Sequence, residues 1–155
     1  PRFRRYARAG AYALSTLLVA GASLHVLKLA FGRWRPRNLH QEGAETGFSL
    51  LAFSTSANSF PSGHAQVSMT VATILVVLLP RYDLAWIACG LLVAFSRVPV
   101  GSHYLSDVIA GGFLGIAVSV LMKRAWEARG EPLKLTFERD WRLLGQSSVR
   151  TPPDP

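Results

Sequence analysis

The chain has 155 residues, half of them hydrophobic and only 17% charged, with a net charge of +8 and a mean hydropathy of +0.25. That is enough for one domain with a sizeable apolar core, and the single cysteine, Cys89, excludes an internal disulfide and a cysteine-based zinc site. The basic balance calls for an anionic partner, but the arginines line no single polar helix face and the aromatics sit in apolar runs, which argues against nucleic acid.

The basic start "PRFRRYARAG" leads directly into a first apolar run over 9–31. It exceeds the ~20 residues that a bilayer span needs. No small-residue cleavage site follows a short apolar stretch, so this helix is expected to stay in a chain that is a fragment or is processed. A second run, "QVSMTVATILVVLL" (66–79), starts behind "PSGH" (61–64). The third is "LAWIACGLLVAFSRVPV" (84–100) and the fourth "YLSDVIAGGFLGIAVSVLM" (104–122), rich in small residues that let helices approach closely. None shows β-alternation, and the pattern predicts an all-α bundle of four membrane-spanning helices. Residues 1–130 form the membrane-embedded domain in this reading. Residues 131–155 form a cytoplasmic tail, disordered at its end, with Phe137 and Trp141 as interfacial anchors.

Charge sets the orientation. Arg2, Arg4, Arg5 and Arg8 precede the first run, Arg81 lies between the second and third, and Lys123, Arg124 and Arg129 follow the fourth. With alternating directions these positions share one side, which the positive-inside rule makes cytoplasmic. The opposite side then collects Lys28, Arg35, Ser62, Gly63, His64, Arg97, His103 and Asp107. Ionisable groups at such helix ends are costly and usually functional.

Lys28, Arg35 and Arg97 supply two guanidinium forks and an ammonium, suited to a tetrahedral oxyanion. Ser62 is a good N-cap, and Gly63 lets a ligand approach the unpaired amides of a helix N-terminus. His103 and Asp107 stand four apart at a helix start, on one face, where a carboxylate can fix the imidazole tautomer. Two histidines with separate roles suit a double displacement, one attacking phosphorus and the other protonating the leaving oxygen. Acids and thiols are too few for a metal set, so no metal or cofactor is expected. Arg33 and Arg37 read as cations snorkelling to headgroups. His25 reads as a bundle-interior histidine, His40 as a solvated loop residue and Cys89 as core filler. The loop 38–60 is expected to shape headgroup entry.

Three elements, "KLAFGRWRP" (28–36), "PSGH" (61–64) and "SRVPVGSHYLSD" (96–107), together resemble the three-part signature of the type 2 phosphatidic acid phosphatase family, whose superfamily includes the vanadium haloperoxidases. Every spacing matches. The resemblance implies that Lys28, Arg35 and Arg97 bind phosphate through their side chains, with Ser62 and Gly63 contributing backbone and hydroxyl contacts. It implies that His64 is the general acid, that His103 is the nucleophile forming a phosphohistidine, and that Asp107 orients His103. It further implies an integral membrane hydrolase of lipid phosphates or diphosphates, in a bacterial inner membrane, with its site on the outer face. Membrane members of the family have six spanning helices, so two N-terminal ones are expected to be missing here. The competing readings are a vanadate-dependent haloperoxidase-like enzyme and a non-catalytic binder or transporter of anionic lipid.

Overall fold

The structure is a computed structural model, and it describes residues 2–37, 47–50, 58–130 and 133–135. Helix α1 runs over Arg2–Ala30 and breaks into a short strand, β1 (Phe31–Arg33), which pairs antiparallel with β2 (Phe48–Leu50). Helices α2 (Gly63–Leu78), α3 (Asp83–Phe95) and α4 (Leu105–Glu127) follow, with a 3-10 turn over Pro80–Tyr82 between α2 and α3.

Helix α2 starts where the sequence provides a cap. The Ser62 hydroxyl accepts from the Ala65 amide at 3.4 Å, and Pro80 ends the run. Many of its residues are β-branched, which weakens intrinsic helix propensity. Packing compensates, because α2 is the central helix and touches α1, α3 and α4. The contact with α4 is closest at Gly111 and Gly115. A Cβ at Gly111 would collide with the Ser62 carbonyl oxygen, and one at Gly115 with that of Gln66. Two glycines one turn apart thus let α4 lie directly on the α2 backbone.

At one end of the bundle Ala9, Tyr12, Ile74 and Leu78 form an apolar cluster closed by Leu133, and Leu135 donates its amide to the Leu78 carbonyl at 2.9 Å. At the other end a smaller cluster, Ala65, Ala94 and Val108, sits beneath the polar residues. Large apolar side chains face outward all round: Leu18 and Val26 on α1, Leu84 and Leu92 on α3, Ile109 and Phe113 on α4.

Several expectations need correction. Four spans are not confirmed: among the described residues Phe3–Ala30 and Leu105–Glu127 are long and apolar enough to cross a membrane. Helix α3, with 13 residues, reaches only about 20 Å against a hydrocarbon core of about 30 Å. The all-helical reading misses the β1–β2 pair, because three-residue strands leave no alternation to detect. Cys89 is exposed rather than core filler, and His25 is exposed rather than interior, its Nδ1 2.8 Å from the Gly21 carbonyl oxygen. The expectations for His40, most of the loop 38–60 and the tail beyond residue 135 lie outside the described residues.

Candidate active site

The antiparallel helices bring one end of each to a single cavity of about 750 Å³. Lys28 enters from the last turn of α1, Arg35 from the segment after β1, Gly63 and His64 from the start of α2, and His103 from the turn before α4. The His64 and His103 rings lie 6.4 Å apart between centroids, tilted by 58°. A proton donor or nucleophile must come within ~3 Å of its target atom, so one small group between the rings can meet both. The cavity continues between α2 and α3 as an apolar groove lined by Val67, Val71, Leu75, Trp86, Cys89 and Val93.

The two imidazoles differ sharply in setting. His64 is exposed on the first turn of α2, whose leading amides have no intrahelical acceptor. His103 is only 2% exposed. Its Nδ1 lies 2.9 Å from the Ser59 carbonyl oxygen. A carbonyl can only accept, so Nδ1 carries the proton and Nε2 keeps a free lone pair. Burial is the main cause holding the His103 ring down at about 4 from the ordinary 6.5. Arg35 and Lys28 push the same way, while the Ser59 carbonyl and Asp107 oppose them. His103 is therefore neutral at pH 7. Burial, then the neighbouring Arg37, lowers the Arg35 guanidinium from its ordinary value, and an arginine remains a cation at neutral pH.

Asp107 does not touch His103 as its spacing suggested. Its Oδ2 is 3.9 Å from His103 Nδ1, beyond hydrogen-bonding range. The carboxylate is fully buried and takes three donors instead: Arg33 Nη1 on Oδ1 at 2.6 Å, and on Oδ2 the Ser59 hydroxyl at 2.6 Å and the Tyr104 amide at 3.0 Å. Arg33 is thus no snorkelling cation. It also donates to Ser106 Oγ at 2.8 Å, with its guanidinium over the Tyr104 ring at 3.9 Å and the Phe48 ring at 4.9 Å.

Three other expected ligands stand differently from their reading. Lys28 lines the cavity, but its Nζ also donates to the carbonyl and the side-chain oxygen of Asn58, at 2.9 and 2.8 Å. Ser62 is fully buried as the N-cap, and its amide donates to the Asp107 carbonyl at 2.9 Å, so it joins two helix starts rather than lining the cavity. Arg97 also lies off the lining, with Nε bonded to Ser96 Oγ at 3.1 Å. Among the described residues no three His, Cys, Asp or Glu side chains gather as a metal set would.

The site thus joins cations and two imidazoles, one buried and neutral and one exposed, around one cavity. Residues 9–131 match the family model described as the PAP2 superfamily. The chain is 40% identical over 128 residues to a lipid A 1-phosphatase of Rhizobium etli, covering 81% of this chain and 54% of that one. It is 41% identical over 114 residues to a lipid A 1-phosphatase of Rhizobium johnstonii (72% and 46% covered), and 33% identical over 122 residues to an undecaprenyl-diphosphatase of Sulfolobus acidocaldarius (77% and 56%). The chain belongs to the PAP2 superfamily. It spans about half the length of these relatives. No solved structure matches it.

Proposed function

We propose that the protein is an integral membrane phosphatase that removes phosphate or diphosphate groups from lipids through a phosphohistidine. The supporting observation is the pair of rings 6.4 Å apart over a cavity that holds Lys28 and Arg35 and runs on into an apolar groove. Cations and a groove in one continuous space suit a phosphate carried on an apolar tail. The groove also favours a lipid over the halide of a haloperoxidase-like reaction.

In this mechanism His103 Nε2 attacks phosphorus, and the bond from phosphorus to the lipid oxygen breaks. His64 gives its proton to that oxygen, and the dephosphorylated lipid leaves. Water then attacks the phosphohistidine, His64 takes the water's proton, and phosphate departs from a restored His103. Lys28, Arg35 and the first amides of α2 stabilise charge on the equatorial oxygens. Each group is preorganised, and no step calls for a metal. EDTA should leave the activity intact, and complete loss restored by a divalent cation would overturn the metal-free scheme.

The outward apolar faces of α1, α3 and α4 suit lipid contact. Arg4, Arg5, Arg8, Arg81, Lys123 and Arg124 sit at the bundle end away from the cavity, which the positive-inside rule assigns to the cytoplasm. The site then faces the periplasmic side of a bacterial inner membrane. The names of the relatives above favour lipid A 1-phosphate or undecaprenyl diphosphate as the lipid, with phosphatidate and phosphatidylglycerophosphate as comparisons. The test is phosphate release from this panel in detergent by the wild-type protein and by His103→Ala. Release by wild type alone is expected, and equal release by both would refute the mechanism.

A further inference from the structure

We propose that Arg33 and Ser59 are positioning residues that aim the His103 ring, and that Asp107 orients it through Ser59 rather than by a direct hydrogen bond. This rests on the phosphatase reading for its role in turnover, but its geometry stands alone.

Ser59 is buried with 0% exposure and faces both ways. Its carbonyl accepts from His103 Nδ1 at 2.9 Å, and its hydroxyl donates to Asp107 Oδ2 at 2.6 Å. The hydroxyl fixes the Ser59 backbone against the carboxylate, and that backbone fixes the ring. The Ser59 amide also donates to the Arg33 carbonyl at 2.9 Å. Arg33 and Ser59 are therefore joined along the backbone, while both side chains reach Asp107. Asp107 is tied in turn to the start of α2 through its carbonyl and the Ser62 amide. The result is a closed frame of β1, the segment before α2 and the start of α4.

Arg33 has a second task within the frame. Removing one partner of a buried ion pair leaves an uncompensated charge. Without Arg33 the full charge of Asp107 would act on an imidazole only 3.9 Å away. The charges facing His103 are Lys28 from α1, Arg35 from the segment after β1, Asp107 from α4 and, when protonated, His64 from α2. In that company the Arg33 side chain acts on the ring through Asp107, and its backbone acts through Ser59. Its stacking on Tyr104 and Phe48 holds the fork in place.

The test uses the whole chain, with 15N-labelled histidine, in detergent micelles. Wild type should show His103 as the Nδ1–H tautomer with a low titration midpoint. Arg33→Gln should raise that midpoint by ~1 unit, the effect of an opposite charge a few ångströms away. Ser59→Ala should move it the same way by less. Arg33→Lys keeps a cation beside Asp107 and should leave the midpoint near wild type. In lipid phosphate hydrolysis, Arg33→Gln and Ser59→Ala should lower kcat roughly 10- to 100-fold, as supporting hydrogen-bond partners do elsewhere, with KM little changed and the acid limb shifted alkaline. An unmoved midpoint in both variants, or a loss confined to KM, overturns the proposal. Thermal unfolding checks that each variant folds, and the two independent sites keep the test alive if one does not. Should wild type release no phosphate from any lipid, the phosphatase reading falls, while the titration still decides the frame.

Discussion

The two ends of the bundle use the same helices for opposite purposes. At the end holding Tyr12, Leu78 and Leu133, polar groups inside the bundle bond across it: the Tyr12 hydroxyl donates to the Ser119 carbonyl and Trp126 Nε1 to Ser15 Oγ. At the cavity end, Lys28, Arg35 and His64 line the cavity beside His103, which a frame of Asp107, Arg33 and Ser59 holds. The first end closes its apolar surface with a strap of residues 133–135. The second keeps cations beside an open cavity at the cost of burying a carboxylate in an ion pair, which seldom stabilises by itself. The difference separates what folds this chain from what would make it react.

The largest expected effect lies at the cavity end. His103→Ala should cut kcat by roughly 10⁴-fold or more, the scale of losing a nucleophile, measured as phosphate release from a lipid phosphate. His64→Ala should cost ~10²- to 10⁴-fold with a lipid leaving group and far less with p-nitrophenyl phosphate, whose leaving oxygen needs no proton. Equal losses on both substrates would break the division of labour between the two walls. The pH profile sharpens it. The folded His103 midpoint, about 4, is below its unfolded value, so the ring stays a neutral nucleophile until pH falls well below 6.5. The acid limb of kcat/KM should accordingly lie below pH 6. An acid limb at the ordinary histidine value would mean that the ring is not desolvated. Midway along the bundle, Gly115→Ala should destabilise by ~1–3 kcal/mol through overpacking against Gln66, read as a lower unfolding temperature in detergent.

Much of the cavity was legible in the sequence because direction and charge suffice for it. Alternating helices must bring 28, 35, 63, 64 and 103 to one side, and the cavity contains all five. Arg97 and Ser62 passed the same argument and stand off the lining. Choosing a side does not choose a helix face. Arg33 was misread because its role depends on a buried carboxylate 74 positions away, and exposed and buried arginines look alike in a sequence. Ser59 carried a weak signal, a small hydroxyl residue two before Pro61. Its part comes from its carbonyl, which every residue type has, and from a hydroxyl whose partner, Asp107, lies 48 positions away. Four spans are not confirmed, because apolar composition does not report where Pro80 and the turn after Phe95 end the helices.

The smallest expected effect tests the comparison from the far end. Tyr12 is fully buried, and its hydroxyl reaches the Ser119 carbonyl at a long 3.3 Å. That carbonyl can already accept the helical bond from four residues on, so Tyr12→Phe leaves no acceptor stranded. A neutral hydrogen bond of this kind contributes ~0.5–1.5 kcal/mol, and its length points to the lower figure. The ring keeps its packing against Ile74 and Leu78. Tyr12→Phe should therefore lower the unfolding temperature slightly and leave kcat and KM within about twofold. A tenfold loss of activity with unchanged stability would show that the ends are coupled along α1, whose last turn carries Lys28, and that the line drawn between folding and reaction is in the wrong place.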